Sequence, residues 1–357
     1  MPIPGSLVTS HVTSRVIPLL ALIIAWGGVP SFAKDRGHPN PFERDGGVPP
    51  SIQALASTGE GVLYAGSFGF GVFFSDDYGE TWESINGGLG DRFILCLSAD
   101  ENGTVYAGTV RGGVFRTTGD GKVWESIKAG LRLVEVKSLL AHHGTIYAGT
   151  GKGVYQWGEA AQKWSAVAPG LEQTLIASLA MTSTSQLFAG TAGKGLYQID
   201  ATKHGTVRWQ RVGDPLVDPK EHLIHTYIRV TTISPQQHLY VGTQDGGVYR
   251  SKDSGKTWQP IGRSLPNDSI RGIVVTRAAL YVATGRGIFK NNLQNSEWVP
   301  VNNGLTELSI QVLMASSEGA LYAGTSAGAF RSQDAGNHWV NISEKLGTHT
   351  TMPRPFF

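Results

Sequence analysis

The sequence predicts an all-β fold: a seven-bladed β-propeller with four antiparallel strands in each blade. Three observations lead there. First, a short motif recurs in phase: LYAGS (63–67), VYAGT (105–109), IYAGT (146–150), LFAGT (187–191), LYVGT (239–243), LYVAT (280–284) and LYAGT (321–325). Its aromatic residues are spaced by 42, 41, 41, 52, 41 and 41 residues. Second, a tryptophan follows each aromatic by 17 to 21 residues: Trp82, Trp124, Trp164, Trp209, Trp258, Trp298 and Trp339. Third, glycine makes up 47 of 357 residues and few stretches carry a helical apolar period. Four-stranded units of about 40–45 residues are the signature of propeller blades.

Taken in order, residues 1–33 read as a signal peptide. Arg15 supplies a positive start, VIPLLALIIAW (16–26) an apolar run, and SFA (31–33) the small residues that place cleavage after Ala33. The other reading is an anchor helix, but a bilayer span needs about 20 apolar residues. No cysteine stands near the cleavage site to take a lipid. Residues 34–50 form a linker. The propeller is expected over 51–345, with blades at about 51–89, 91–131, 133–171, 173–215, 227–265, 268–305 and 308–345, and a loosely held tail at 346–357.

The fifth unit shows the strand logic. IRVTTIS (228–234) is strand A, HLYVGT (238–243) B, GGVYRS (246–251) C and TWQPIG (257–262) D. Each carries β-branched or aromatic residues, and the breaks between them hold Gly, Pro, Asp or Ser. One such sheet buries too little alone, whereas radial stacking buries both faces and leaves only short edges. The tyrosines and tryptophans are expected between blades, each burying on the order of 150–250 Å². In this phasing every blade is complete in sequence, so closure rests on packing between blades one and seven. A shifted phase, or a strand from residues 38–49, is the alternative latch.

The turns between strands C and D carry the most specific motif. SDDYGETW (75–82), SKDSGKTW (251–258) and SQDAGNHW (332–339) all fit S-x-D-x-G-x-[T/H]-W. Blade two has the eroded TTGDGKVW (117–124), and blades three and six keep little beyond the tryptophan. The pattern resembles the Asp-box, or BNR, repeat of propeller proteins. That superfamily includes sialidases, sortilin-type ectodomains, xyloglucanases and photosystem II assembly-factor-like proteins. The resemblance spans about residues 51–345, and GGVYRSKDSGKTWQPI (246–261) is most similar to the last, non-enzymatic group. It implies blade architecture more than function. The chemistry suits a turn: Asp accepts nearby backbone N–H groups, glycine takes positive φ, and Ser or Thr braces the same bend. Ser75, Asp77, Gly79 and Trp82 are therefore read as scaffold, as are Ser251, Asp253, Gly255 and Trp258, and Ser332, Asp334, Gly336 and Trp339.

Strand direction sorts the loops. A–B and C–D turns, with the Asp boxes, His142 and His143, fall on one face, the bottom. B–C hairpins and D–A connections fall on the other, the top. The top collects cations: Arg111, Lys152, Lys194 and Arg286 from hairpins, and Arg92, Arg132, Lys137, Arg229 and Arg271 from connections and strand starts. Lys137, Arg229 and Arg271 occupy equivalent positions, filled by Gln53 and Gln311 in blades one and seven. Acids lie among them, so the top is either a mixed solvated surface or a cationic mouth around the central channel. Photosystem assembly-factor-like propellers carry an arginine-rich patch, but no motif assigns it residue by residue here. Blade four adds a second lead. Its D–A connection, VGDPLVDPKEHLIHTY (212–227), is about seven residues longer than its counterparts and holds His222 and His225. Without a helical register these two are expected in a partner-contacting loop, with no metal bound. Insertions on one face of a repeat protein often carry specificity.

Charge and cysteine content narrow the classes. Without residues 1–33 the chain has 29 Lys+Arg against 28 Asp+Glu, a net charge of +1 that gives no global reason to bind nucleic acid. Cys96 is the only cysteine, so no intramolecular disulfide is possible, and it reads as a small buried residue. No P-loop, dinucleotide fingerprint or nucleophile elbow appears, so no cofactor and no catalytic residue are assigned. The expected protein is an exported monomer that binds a protein or protein–cofactor complex through its top face and does no chemistry. Its location is the periplasm or the medium, or the thylakoid lumen in a photosynthetic host. The alternative is a glycan-active protein, a lectin or sialidase-like hydrolase, with Phe68 and Phe70 stacking on sugars. Sialidase-type propellers have six blades and an F/Y-R-I-P motif, and this chain has seven units and no such motif.

Overall fold

The computed structural model describes residues 49–131, 134–203, 207–212, 227–262, 265–266, 269–293, 297–343 and 346. The expected signal peptide and most of the linker and tail lie outside them. The described residues form seven four-stranded antiparallel sheets, each built from consecutive strands in sequence order. In blade one strands A to D are Ile52–Gly59, Val62–Ser67, Gly71–Ser75 and Glu83–Ser84. Strand A of each blade packs on strand A of the next, and strand A of blade seven (Ile310–Ala315) packs on that of blade one. The core is seven separate apolar clusters, one at each blade–blade interface.

The repeated pentapeptide is explained at those interfaces. Its tyrosine or phenylalanine is buried in all seven blades. Its glycine lies against the first aliphatic residue of the next blade. A Cβ on Gly66 or Gly242 would stand 2.5 Å from the Ile94 or Ile270 side chain, and one on Gly324 2.8 Å from that of Ile52. Blade six has Ala283 at this position, and there the facing residue of strand A is Gly272, so the small residue has crossed the ladder. The closing Ser or Thr is wholly buried and staples the B–C hairpin. The Thr243 hydroxyl donates to the Gly247 carbonyl at 3.1 Å and accepts the Gly246 N–H at 2.8 Å.

The tryptophans bind blades into a chain. The indole N–H of Trp124, Trp164, Trp298 and Trp339 donates to the carbonyl of Ile85, Ile127, Ile261 and Val301 in the preceding blade. Each acceptor lies three residues after its own blade's tryptophan. Trp82 donates to Ile342 at 2.7 Å, which makes the same link across the chain termini and closes the ring. Arg331 of blade seven reinforces it, reaching the Tyr78 carbonyl and Glu80 at 3.0 Å. Neither a shifted phase nor an added strand is needed for closure. Leu346, assigned to the tail from sequence, is buried in the same interface.

Two links of this chain differ, and they flank blade four. The buried indole N–H of Trp209 has no partner among the described residues, and Trp258 donates to Gly255 within its own turn at 3.1 Å. Blade four is the unit with the 52-residue spacing. Strand D is also shorter than the sequence suggested: Gln259–Pro260 in blade five, in place of 257–262. The Trp124, Trp164, Trp209 and Trp339 amides donate to the preceding blade, a second backbone link between neighbouring blades.

Candidate functional site

The three intact Asp boxes form one construction. Ser251 donates to Asp253 at 2.8 Å, and Asp253 accepts the Thr257 N–H at 2.8 Å and its hydroxyl at 2.6 Å. Ser75, Asp77 and Thr81 repeat the set at 2.8, 2.9 and 2.6 Å. In blade seven His338 supplies only its backbone N–H to Asp334, at 2.9 Å. The hydroxyl and amide of Thr257, with the Ser251 hydroxyl, hold the Asp253 carboxyl down at about 2. Two consecutive residues at positive φ make the turn, Ser254 and Gly255 at 57° and 88° in blade five. A Cβ on Gly255 would also lie 2.4 Å from Val212 of the preceding blade. The boxes are bracing, and the Tyr78 N–H bond to the Gly61 carbonyl puts them beside the A–B turns on the bottom.

Blade two lacks the box, with Gly119 at the acid's position. A cavity of about 360 Å³ opens there, bounded by Tyr64, Phe74, Thr104, Thr117 and Asp120. His142 and His143 also lie on the bottom, ring centroids 4.2 Å apart. Burial, then the neighbouring His143, lowers the His142 pKa. Among the described residues no group of three metal-ligating side chains converges. Cys96 is half-buried, and desolvation pushes its thiol up to about 12.

The top face differs because of a feature that spacing alone did not reveal. Every strand A breaks register after its first residue. The pairing skips Gln53, Leu95, Lys137, Ala177, Arg229, Arg271 and Gln311 in turn. The residue before each is wholly buried, and each skipped residue is half-buried. A β-bulge frees one residue from the ladder and re-aims its side chain, and bulges concentrate beside functional sites. Seven bulges on the innermost strands therefore make a ring of free side chains at the channel mouth.

The ring is uneven. Lys137 is neutralised by Glu135 at 2.8 Å. Gln53 donates to the Ser51 hydroxyl at 2.8 Å. Arg229 reaches Ser269 of the next blade at 3.5 Å, the outer limit of a hydrogen bond. Arg271 donates to the Ser309 hydroxyl at 3.0 Å and the Ile310 carbonyl at 3.1 Å, while its Nε is buried without a partner. Desolvation, then the Arg229 charge, lowers the Arg271 pKa. Among the described residues neither arginine has an acidic partner. Two half-buried cations that feel each other's charge and lack a counter-ion are costly to a scaffold and suited to an anionic visitor.

The remaining top-face cations are spread wider. Arg92, Arg111, Lys152, Lys194 and Arg286 are exposed. Lys194 donates to Thr174 at 2.9 Å. The backbone N–H groups of Lys152 and Arg286 are held by the hairpin threonines. Arg132, His222 and His225 lie outside the described residues, as does the 212–227 insertion apart from Val212 and Tyr227. Asp91, on sequence a neutralising acid, is taken up by backbone: it accepts the N–H of Phe93, Arg111 and Gly112 at 3.0, 2.7 and 2.9 Å.

Solved structures share this fold. The extracellular domain of the hybrid two-component system BT3049 from B. thetaiotaomicron matches with a TM-score of 0.65 and 20% identity, over 79% of this chain and 38% of that one. An ancestral GH74 enzyme matches at 0.66 and 16%, over 83% of this chain and 47% of its own. YCF48 bound to D1 peptide matches at 0.62 and 14%, over 79% of this chain and 92% of its own. The chain thus spans under two-fifths of the first of these proteins and about half of the second. At these identities the likeness is one of fold. No family model and no curated protein matches the sequence.

Proposed function

We propose that the chain is an exported, non-enzymatic propeller that binds a protein partner through its top face, with Arg229 and Arg271 at the centre of the contact. The observation that carries this reading is their state: adjacent, half-buried at bulge positions and without an acidic partner among the described residues. A surface under no functional demand would pair or replace them. A partner's carboxylates would supply the missing charge through the bidentate geometry that arginine favours. The decay of the Asp box in four of seven blades, with its tryptophan kept, fits a scaffold. A propeller of this fold, YCF48, has been solved with a peptide bound, which supports a peptide-binding use. Export rests on residues 1–33. Among the described residues no helix is long and apolar enough to cross a membrane.

The test is a pull-down from the exported fraction with the chain from residue 34, beside an Arg229→Gln, Arg271→Gln variant whose melting temperature verifies folding. Partner recovery should fall at least tenfold in the variant. Equal recovery would remove the channel mouth from the contact. Turnover of sialosides or β-glucans by the purified chain would overturn the non-enzymatic reading.

A further inference from the structure

Phe68 and Phe93 are the only exposed phenylalanine, tyrosine or tryptophan rings among the described residues, at 50% and 39% of their full accessibility. They meet edge to face on the top, centroids 5.0 Å apart at 72°. The positions equivalent to Phe68 in the other blades hold Val, Gly, Ala, Gln or Ser. The scaffold therefore does not ask for an aromatic there, and only the junction of blades one and two puts phenylalanine at both positions.

The junction is also tied by backbone. Phe68 and Phe93 form a bridge between the blade-one hairpin and the connection to blade two. The Gly69 and Gly71 amides donate to the Arg92 carbonyl at 3.0 and 3.1 Å, and Val110 donates to the Phe93 carbonyl at 3.1 Å. Asp91 holds the second hairpin from beneath through three backbone amides. With its carboxylate thus occupied, Arg92 and Arg111 stand exposed, next in sequence to Phe93 and to its bonded partner Val110, and among the described residues neither makes an ion pair. Rigid aromatics flanked by arginine are the composition of binding hot spots, since little entropy is lost when they are covered.

We propose that Phe68 and Phe93, flanked by Arg92 and Arg111, are an aromatic anchor for a peptide segment of the partner that carries an aromatic or aliphatic side chain next to carboxylates. The proposal rests on the protein-binding reading and adds a second contact, on the far side of the ring from Arg229 and Arg271. Charge complementarity selects the occupant. The free polar groups at the site are cationic donors, and its one carboxylate is committed to backbone. Neutral sugar hydroxyls need acceptors as well as donors, whereas a carboxylate needs donors alone.

Panning a random dodecapeptide phage library on the full chain tests this. The selected peptides should pair Phe, Tyr, Leu or Ile with Asp or Glu within two positions. Synthetic copies should bind Phe68→Ala, Phe93→Ala at least tenfold more weakly. They should bind Arg92→Gln, Arg111→Gln more weakly with a flatter salt dependence, and Arg229→Gln, Arg271→Gln as before. Both phenylalanines are exposed, so the double variant should melt within a few degrees of the parent. No enrichment, basic peptides, or peptides indifferent to the phenylalanines would each overturn the anchor. So would neutral oligosaccharides that bind the parent and lose binding with the rings. If the anchor fails while partner recovery still depends on Arg229 and Arg271, the protein-binding reading stands alone.

Discussion

Replacing Trp82 with phenylalanine should loosen the ring at its seam. The Trp82 indole donates to the Ile342 carbonyl at 2.7 Å, and both residues are buried, at 5% and 8% exposure. Phenylalanine removes the donor and leaves that carbonyl facing a dry interface, a loss of about 1–3 kcal/mol. Shrinking the ring adds about 1 kcal/mol of lost packing. At about 2 °C per kcal/mol for a chain of this size, the melting temperature should fall by roughly 4–8 °C. Trp258→Phe is the internal comparison. Its indole bond stays within its own turn and is partly exposed, so its loss is worth about 0.5–1.5 kcal/mol. Hydrogen exchange separates the two further. In Trp82→Phe the amides of Ile342 and Leu346, bonded to Ala329 and Ser343, should exchange about tenfold faster, which is about 1.4 kcal/mol of local opening. In Trp258→Phe they should not change. Equal melting losses and unchanged exchange at the seam would refute the claim that indole-to-carbonyl links close the ring.

Other perturbations follow from the same contacts. Gly79→Ala forces positive φ on alanine at 87° and sets its Cβ 2.6 Å from the Ile342 Cδ1, so the urea midpoint should report a loss of about 2–4 kcal/mol. Gly59→Ala, with open space around it, should stay within about 0.5 kcal/mol. The Asp253 carboxyl is lowered to about 2 by hydrogen bonds from Thr257 and Ser251. Its stabilisation is therefore complete above the unfolded value near 4 and is lost as pH falls through about 2. The melting difference between the parent and Asp253→Ala should be full at pH 6 and gone by pH 2. Thr243→Val removes a buried hydroxyl that both donates and accepts and should cost about 1–3 kcal/mol by chemical denaturation. Arg229→Gln with Arg271→Gln should raise the melting temperature, because two unpaired, partly desolvated cations are relieved; a fall would show that they are structurally compensated.

The fold was legible in the sequence because one set of contacts is written seven times. A small residue where the next blade's isoleucine lands, a hydroxyl that ties the hairpin, and a tryptophan that spans to the previous blade each leave a mark at a fixed offset. The Asp boxes were legible for the same reason. The bulge was not, since it shows as a register break and not as a residue type: Gln53, Leu95 and Ala177 share nothing in composition with Arg229. Nor was the division of labour among the charges. Sequence counted Lys137 with Arg229 and Arg271, whereas Glu135 neutralises the lysine and, among the described residues, no acid pairs with either arginine. Asp91 counted in the sequence only as one of the acids of the top face, whereas three backbone amides take up its oxygens. Phe93 passed unnoticed because a single phenylalanine before the apolar run ILCL (94–97) looks like core.

The separation between what repeats and what varies locates the function better than any one residue does. Positions that build the ring are held to one choice by two blades at once. Gly324 must admit Ile52, and Gly79 must admit Ile342. A bulge residue answers to neither neighbour, because its backbone has left the ladder and the buried residue before it carries the packing. Such a position takes glutamine, leucine, lysine, alanine or arginine without disturbing the strand pairing. Where the scaffold is indifferent, a choice that lowers stability needs another reason. Arg229 and Arg271 are that choice twice over, in neighbouring blades, with the Arg271 Nε buried and no acidic partner for either among the described residues. The same logic picks out Phe68 and Phe93, where small or polar residues serve the other blades. Both departures lie on the face that carries no Asp box, which leaves the braced side to hold the ring and the open side for the proposed partner.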